Sequence, residues 1–185
     1  MKERGHILEI LKNAKVALEQ NDSYELKKLS NMTIHTASIS KDVDSISVAV
    51  TIYALSKIIE KDQYKNKKEW PDFIKNAKIF LEKAIANLEK DDVELFRREL
   101  TKIRNQVNSL SGDIKTFFEE VFRKAMLNKA KMMYEHGISA EETASVLGIS
   151  QWELIDYFGK AGSVTKYDKT TEIETRVKYA RKIFS

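Results

Sequence analysis

From Val43 to Glu60 the chain is apolar on nearly every side. Val43, Ile46, Val48, Ala49, Val50, Ile52, Tyr53, Leu55, Ile58 and Ile59 leave no continuous polar stripe at a period of 3.6 residues. The β-branched content would also suit a strand, but strands rarely run so long, and the length predicts a helix. Such a helix has to be surrounded. The apolar core of the run is shorter than the ~20 residues of a membrane span and Lys57 interrupts it, so the surroundings are protein and not lipid. The rest of the chain must therefore supply several more helices.

It does so in order. Residues 4–20 carry Ile7, Ile10, Leu11, Ala14 and Leu18 as a one-sided stripe. Asn21-Asp22 ends that segment, and Asp22 with Glu25 caps a second helix over about 23–37, bearing Leu26, Leu29, Met32 and Ala37. A break near Ser40 precedes the apolar helix. Lys61–Glu69 is a basic connector, and Pro71 suits the first turn of a helix bearing Phe73, Ile74, Ala77, Phe80, Leu81, Ala84 and Leu88. Lys90-Asp91-Asp92 closes it and caps the next. There Val93, Phe96, Leu100, Ile103, Val107 and Leu110 recur at the heptad spacing that suits near-parallel packing. After the Ser111-Gly112-Asp113 turn, a long helix over about 114–135 is stopped by Gly137; at roughly 1.5 Å per residue it spans about 30 Å. Its front half is expected in the bundle. Its rear half, with Met132 and Met133, is expected beneath the segment that follows. Thr171 with Glu174 caps a last helix to about Phe184.

That following segment, Ser139 to Lys160, is the most patterned part of the chain. Ser139 with Glu142 and Ser150 with Glu153 both have the S-x-x-E spacing of a capping box. Two helix starts so close together make the first helix short, about 140–147, with Gly148 just past its end, where a left-handed backbone is tolerated. Ala144 is small where two helices must approach. Leu147, Ile149, Leu154 and Tyr157 are spaced to close a small core. These residues resemble the helix-turn-helix unit over about twenty positions. The resemblance implies that the second helix, Ser150 to Phe158, lies in the DNA major groove and presents Ser150, Gln151 and Trp152 to it. The alternative is a packing or dimerisation element in which Trp152 is core or a protein anchor.

Charge weighs on both sides. Residues 137–160 hold Glu141, Glu142, Glu153 and Asp156 against Lys160 alone, although phosphate neutralisation supplies most non-specific nucleic-acid affinity. The missing cations would come from Lys160, Lys166, Lys169, Arg176, Lys178, Arg181 and Lys182, which follow the motif directly; equally, they are the solvated face of an amphipathic helix. Arg97, Arg98, Lys102 and Arg104 form a second basic group open to the same two readings. The whole chain is only mildly basic, with a formal charge of +4 and a pI of about 9.0.

No catalytic motif stands out. The six glycines are scattered, so no phosphate-binding loop is present. With no Cys there is no thiolate nucleophile or thiolate metal site, and His6, His35 and His136 lack metal-ligand spacing. The nearest approach to a general acid–base site is His35 with Asp42 and Asp44 among neighbouring hydroxyls. The competing account is helix-end capping, with Asp42 as the natural cap of the apolar helix.

Over a longer span, KAKMMYEHGISAEETASVLGISQWELIDYFGK with TEIETRVKYARKIF, and LSNMTIHTASISKDVDSISVAVTIYALSKIIE, resemble a group of archaeal proteins. The resemblance implies an archaeal, cytoplasmic helix-turn-helix protein and says nothing of a substrate. The first apolar residues, Ile7, Leu8, Ile10 and Leu11, are broken by Glu9 and Lys12, unlike a secretory signal. The expectation is an all-α, cytoplasmic, non-enzymatic chain without cofactor or metal. Residues 1–136 are an interaction or dimerisation bundle, 137–160 a helix-turn-helix sharing the end of the long helix, and 161–185 a loop and basic helix. It is expected to bind DNA as a transcriptional regulator, with the bundle able to pair two copies. The alternatives are an antitoxin-like or assembly adaptor whose acidic helix meets a protein partner, and RNA or ribosome binding. No membrane is involved.

Overall fold

A computed structural model describes residues 3–40, 42–135, 137–147 and 149–160, with 36–40, 146 and 160 placed by their backbone alone. The described residues are all-α, with no strand among them. The helices are α1 (Arg4–Glu19), α2 (Ser23–Ser40), α3 (Val43–Ile59), α4 (Trp70–Glu89), α5 (Val93–Asn105), α6 (Gly112–Glu135), α7 (Ala140–Leu147) and α8 (Gln151–Lys160). None is long and apolar enough to cross a membrane.

The apolar helix α3 lies at the centre, packed by α1, α2, α5, α6 and α7. Its buried positions run right round its circumference, as all-round apolarity requires. The α2–α3 seam is fixed by the buried Ser30 hydroxyl, which donates to the Ala49 carbonyl at 2.6 Å. In the same core, Phe118 of α6 receives Phe73 and Trp70 of α4 edge-on, at centroid distances of 4.6 and 6.1 Å. The basic connector contributes as well. It contains a short 3-10 turn, Asp62–Tyr64, and stacks the Tyr64 ring on Phe117 at 4.2 Å.

Local signals set most helix ends. Asp22 accepts from the Glu25 amide at 2.9 Å, and Asp92 accepts from the Leu95 amide at 2.9 Å. Asn21 and Asp91, directly before these caps, take left-handed φ values of 54° and 63°, which short polar side chains tolerate. Pro71 stands in the first turn of α4. Two expectations need correction. The heptad run does not continue helically to Leu110: α5 ends at Asn105 and becomes a 3-10 turn, Gln106–Ser109. There the Gln106 amide group donates to the Ile103 carbonyl and the Ser109 hydroxyl to the Gln106 carbonyl, so side chains compete for the backbone. Asp42 stands at the N-cap of α3, but its carboxylate takes no backbone amide; it accepts the Ser45 hydroxyl at 2.7 Å.

Candidate nucleic-acid interface

The last turns of α6 have one side in the bundle core and carry the pair α7–α8 on the other. Gly137, at φ 87°, turns the chain, and the amides of Gly137 and Ile138 return to the carbonyls of Tyr134 and Met133. Ser139 then accepts from the Glu142 amide at 3.1 Å and starts α7. Ala144 is 4% exposed, and its carbonyl receives the Ile149 amide as the chain leaves the helix. Ser150 accepts from the Glu153 amide at 3.1 Å and starts α8. The Glu153 carboxylate does not fold back to close a reciprocal box. It reaches Arg123 of α6 at 3.3 Å and ties α8 to the bundle.

The pair has its own small core of Ala130, Ala144, Leu154 and Phe158, flanked by Tyr134, Ala140, Leu147, Ile149 and Tyr157. One residue is added here and one assignment changes. Tyr157 packs against this core as its spacing predicts, and Phe158 is the aromatic buried within it, with Tyr134 4.9 Å from its ring centroid. The α6 residues beneath the pair are Ala130 and Tyr134, one helical turn apart. Met133 is buried in the bundle core and Met132 packs against that same core. Phase separates Met132, which lies off the face shared by 130 and 134; Met133, three residues after 130, sits at the edge of that face on the bundle side.

With Leu154 and Phe158 sealed, the start of α8 faces solvent. Ser150 and Gln151 are exposed, Trp152 is 81% exposed and Ile155 is 46% exposed. Lys160 ends the helix. Lys166, Lys169, Arg176, Lys178, Arg181 and Lys182 lie outside the described residues. Cations do approach from the bundle: Lys57 and Lys61 of the α3 end and Lys124 of α6 share a cleft of about 350 Å³ with Tyr157. Lys57 and Lys124 are paired with Glu60 and Glu120 at 2.6 Å each. The second basic group is partly spent within the fold. Arg97 forks onto the buried Asp44, with Nε–Oδ1 at 2.7 Å and Nη2–Oδ2 at 2.9 Å, and Lys102 pairs with Glu99. The Asp44 carboxylate raises the already high pKa of Arg97.

Of the His35 constellation, the described contacts of the two aspartates go elsewhere, and the neighbouring hydroxyls of 36–40 lie outside the described side chains. Asp44 is buried against Arg97, Asp42 is buried against Ser45, and His35 is exposed. Among the described residues no three acidic or histidine side chains group as a metal would need. Sequence reasoning missed Lys129. It is fully buried on α6, its ammonium donating to Asn31 Oδ1 at 2.7 Å and lying 4.3 Å from the Tyr53 ring centroid. Burial, reinforced by Lys27, pushes its pKa down to about 7. Nothing in the sequence distinguishes it from the solvated lysines on α6.

Comparison with family models, with curated proteins and with solved structures finds no match. The reading therefore rests on the chain's own geometry.

Proposed function

We propose that this chain is a helix-turn-helix DNA-binding regulator of archaeal type, acting in the cytoplasm. The end of α6, α7 and α8 make up the unit, and the α1–α6 bundle is its interaction or dimerisation body. One observation carries the reading: α8 buries Leu154 and Phe158 on one side while Ser150, Gln151 and Trp152 are exposed at its N-terminal end. That end of a second motif helix is the part that meets base edges and phosphates. Lys61 beside Tyr157 brings positive charge near the acidic α7–α8 pair, while Lys57 and Lys124 in the same cleft are held by Glu60 and Glu120. The lysines and arginines of 160–182 add further cations. Exposed Trp152 has an indole face to lay against a base or sugar.

The test is fluorescence anisotropy of the full chain with a duplex pool at two salt concentrations. Affinity should fall steeply with salt. It should be lost in the double variant Gln151→Ala, Lys160→Ala. Absence of duplex binding at low salt, or binding untouched by the double variant, refutes the reading. The same Trp152 exposure, next to Glu153 and Asp156, favours one other reading: an adaptor that anchors a basic protein through this tryptophan. A partner captured without DNA and released by Trp152→Ala selects that reading.

A further inference from the structure

Behind the α7–α8 pair the bundle opens a cleft of about 540 Å³ between α3, α5, α6 and the end of α7. That volume lies in the range of small-molecule sites. Its lining is mixed, with the hydroxyls of Ser47, Thr51 and Thr101 set among apolar side chains. Ile46, Val50, Leu100 and Phe122 form an apolar floor, with Met126 and Leu147 continuing it towards α7. The rim carries Arg104, Asn105 and Asn108, whose side chains make no hydrogen bond or ion pair with any described residue. Arg123 lies on the opposite wall with its single partner Glu153, and Glu119 beside it is 4.0 Å from Lys115. The arginines on this part of the molecule are therefore not equivalent. Arg97 is committed to Asp44, while Arg104 makes no ion pair with a described residue and looks across the same cleft as Glu119.

We propose that this cleft binds a small amphipathic carboxylate, its apolar body on Ile46, Val50, Leu100 and Phe122 and its head group on Arg104. The match is one of chemistry. A guanidinium fork takes a carboxylate in two parallel hydrogen bonds, and the neighbouring Asn amides donate to the same oxygens. An apolar body displaces water that the floor cannot hydrogen-bond. Leu147 and Arg123 connect the cleft to the pair. A ligand whose apolar end touches Leu147 presses on the end of α7, which packs against α8. Occupancy thus loosens α8 from the bundle. Binding itself does not depend on the nucleic-acid reading.

The experiment titrates octanoate and phenylbutyrate into the full chain without nucleic acid, following methyl resonances by NMR. Octanamide serves as the uncharged isostere. Saturable shifts are expected at Ile46, Val50, Leu100 and Leu147. Arg104→Ala should weaken octanoate binding about tenfold, the worth of one charge-assisted hydrogen bond, and octanamide should bind wild type about as weakly. Arg98→Ala, an exposed arginine on the same helix but outside the cleft, should leave the affinity unchanged. At saturation, hydrogen exchange should quicken in α8. Failure of both acids to shift the cleft methyls, equal affinity for octanamide, or an Arg104→Ala variant that binds octanoate normally overturns the proposal. Octanoate binding without faster exchange in α8 overturns the link to the helix pair. Because DNA is absent throughout, a failed duplex assay leaves these outcomes unaffected.

Discussion

In the bundle, one interior runs from Ile7 of α1 to Ile138 beyond α6, and α3 is enclosed within it. The α7–α8 pair closes on Ala130, Ala144, Leu154 and Phe158, and half of those are alanines. Burying a Leu and a Phe is worth roughly 2–3 kcal/mol each, far below the entropy of ordering two helices. Helices this short are marginal alone. The pair therefore borrows its order from α6, from two serine caps and from the Arg123–Glu153 bridge. The bundle supplies rigidity, and the pair supplies an exposed helix end that can respond to what touches it.

The largest effects test that division directly. Phe118→Ala empties the centre of the aromatic cluster and should cost about 3–5 kcal/mol, read as a lower denaturant midpoint for the whole chain. Phe158→Ala removes the same ring from the small core. Here hydrogen-exchange protection should collapse across α7 and α8 while the global midpoint stays nearly in place. Equal drops in midpoint would make the two regions one cooperative unit and break the comparison.

Lys129 lies on the seam, one residue before Ala130 of the small core. Its ammonium is held by Asn31 and the Tyr53 ring and pairs with no described carboxylate; burial, with Lys27 nearby, lowers its pKa from 10.5 to about 7. Between those values the unfolded chain binds a proton that the folded chain lacks. Stability should therefore rise as pH is raised from about 7 towards 10.5, and this contribution should level off below 7. Lys129→Met keeps the length, removes the charge and should stabilise the protein at pH 7 by roughly 2–3 kcal/mol. Denaturant unfolding at several pH values should show the variant's advantage shrinking to nothing at high pH. A constant advantage would mean that packing, not protonation, is responsible.

Two arginine bridges give the next contrast. Arg97→Ala strands the Asp44 carboxylate inside the α3–α5 contact and should destabilise by about 2 kcal/mol, less than a fully buried pair because water reaches the Arg97 side. Arg123→Ala breaks an exposed bridge and should cost at most about 0.5 kcal/mol globally. Its effect should appear as faster exchange in α8. Paired thermal and exchange measurements separate the two. A global loss from Arg123→Ala as large as that from Arg97→Ala would place α8 inside the main cooperative unit.

What the sequence carried and what it did not follow the range of each signal. Local signals were legible: the Asp22 and Asp92 caps, Pro71, Gly137, the two serines at 139 and 150, and the all-round apolarity that places α3 at the centre. Signals that depend on phase between helices were partly lost, as with Phe158 within the small core and Ala130 against Met132. Signals that arise only in three dimensions were invisible. Arg97 is fifty-three positions from Asp44 and Lys129 ninety-eight from Asn31, and neither pair has a local pattern. For the same reason the Arg104 cleft has no sequence signature. It is made by four helices whose contributing residues are each ordinary in their own segment.

The smallest effect bears most directly on α8. Ser150 caps the helix through the Glu153 amide at 3.1 Å and also stands exposed at the end proposed to meet DNA. Ser150→Ala should cost about 1 kcal/mol of local stability, read by exchange in α8, whereas Ser150→Gly should cost only a few tenths. Ser139→Ala should weaken α7 by a similar amount, at a position with no proposed contact to DNA. If duplex affinity follows helix stability, Ser150→Gly and wild type bind alike, and Ser150→Ala falls with its lost cap. If both Ser150 variants lose affinity equally while Ser139→Ala keeps it, the hydroxyl itself touches the nucleic acid. The cap would then be formed only in the free protein, and the helix end would give up that bond when it docks.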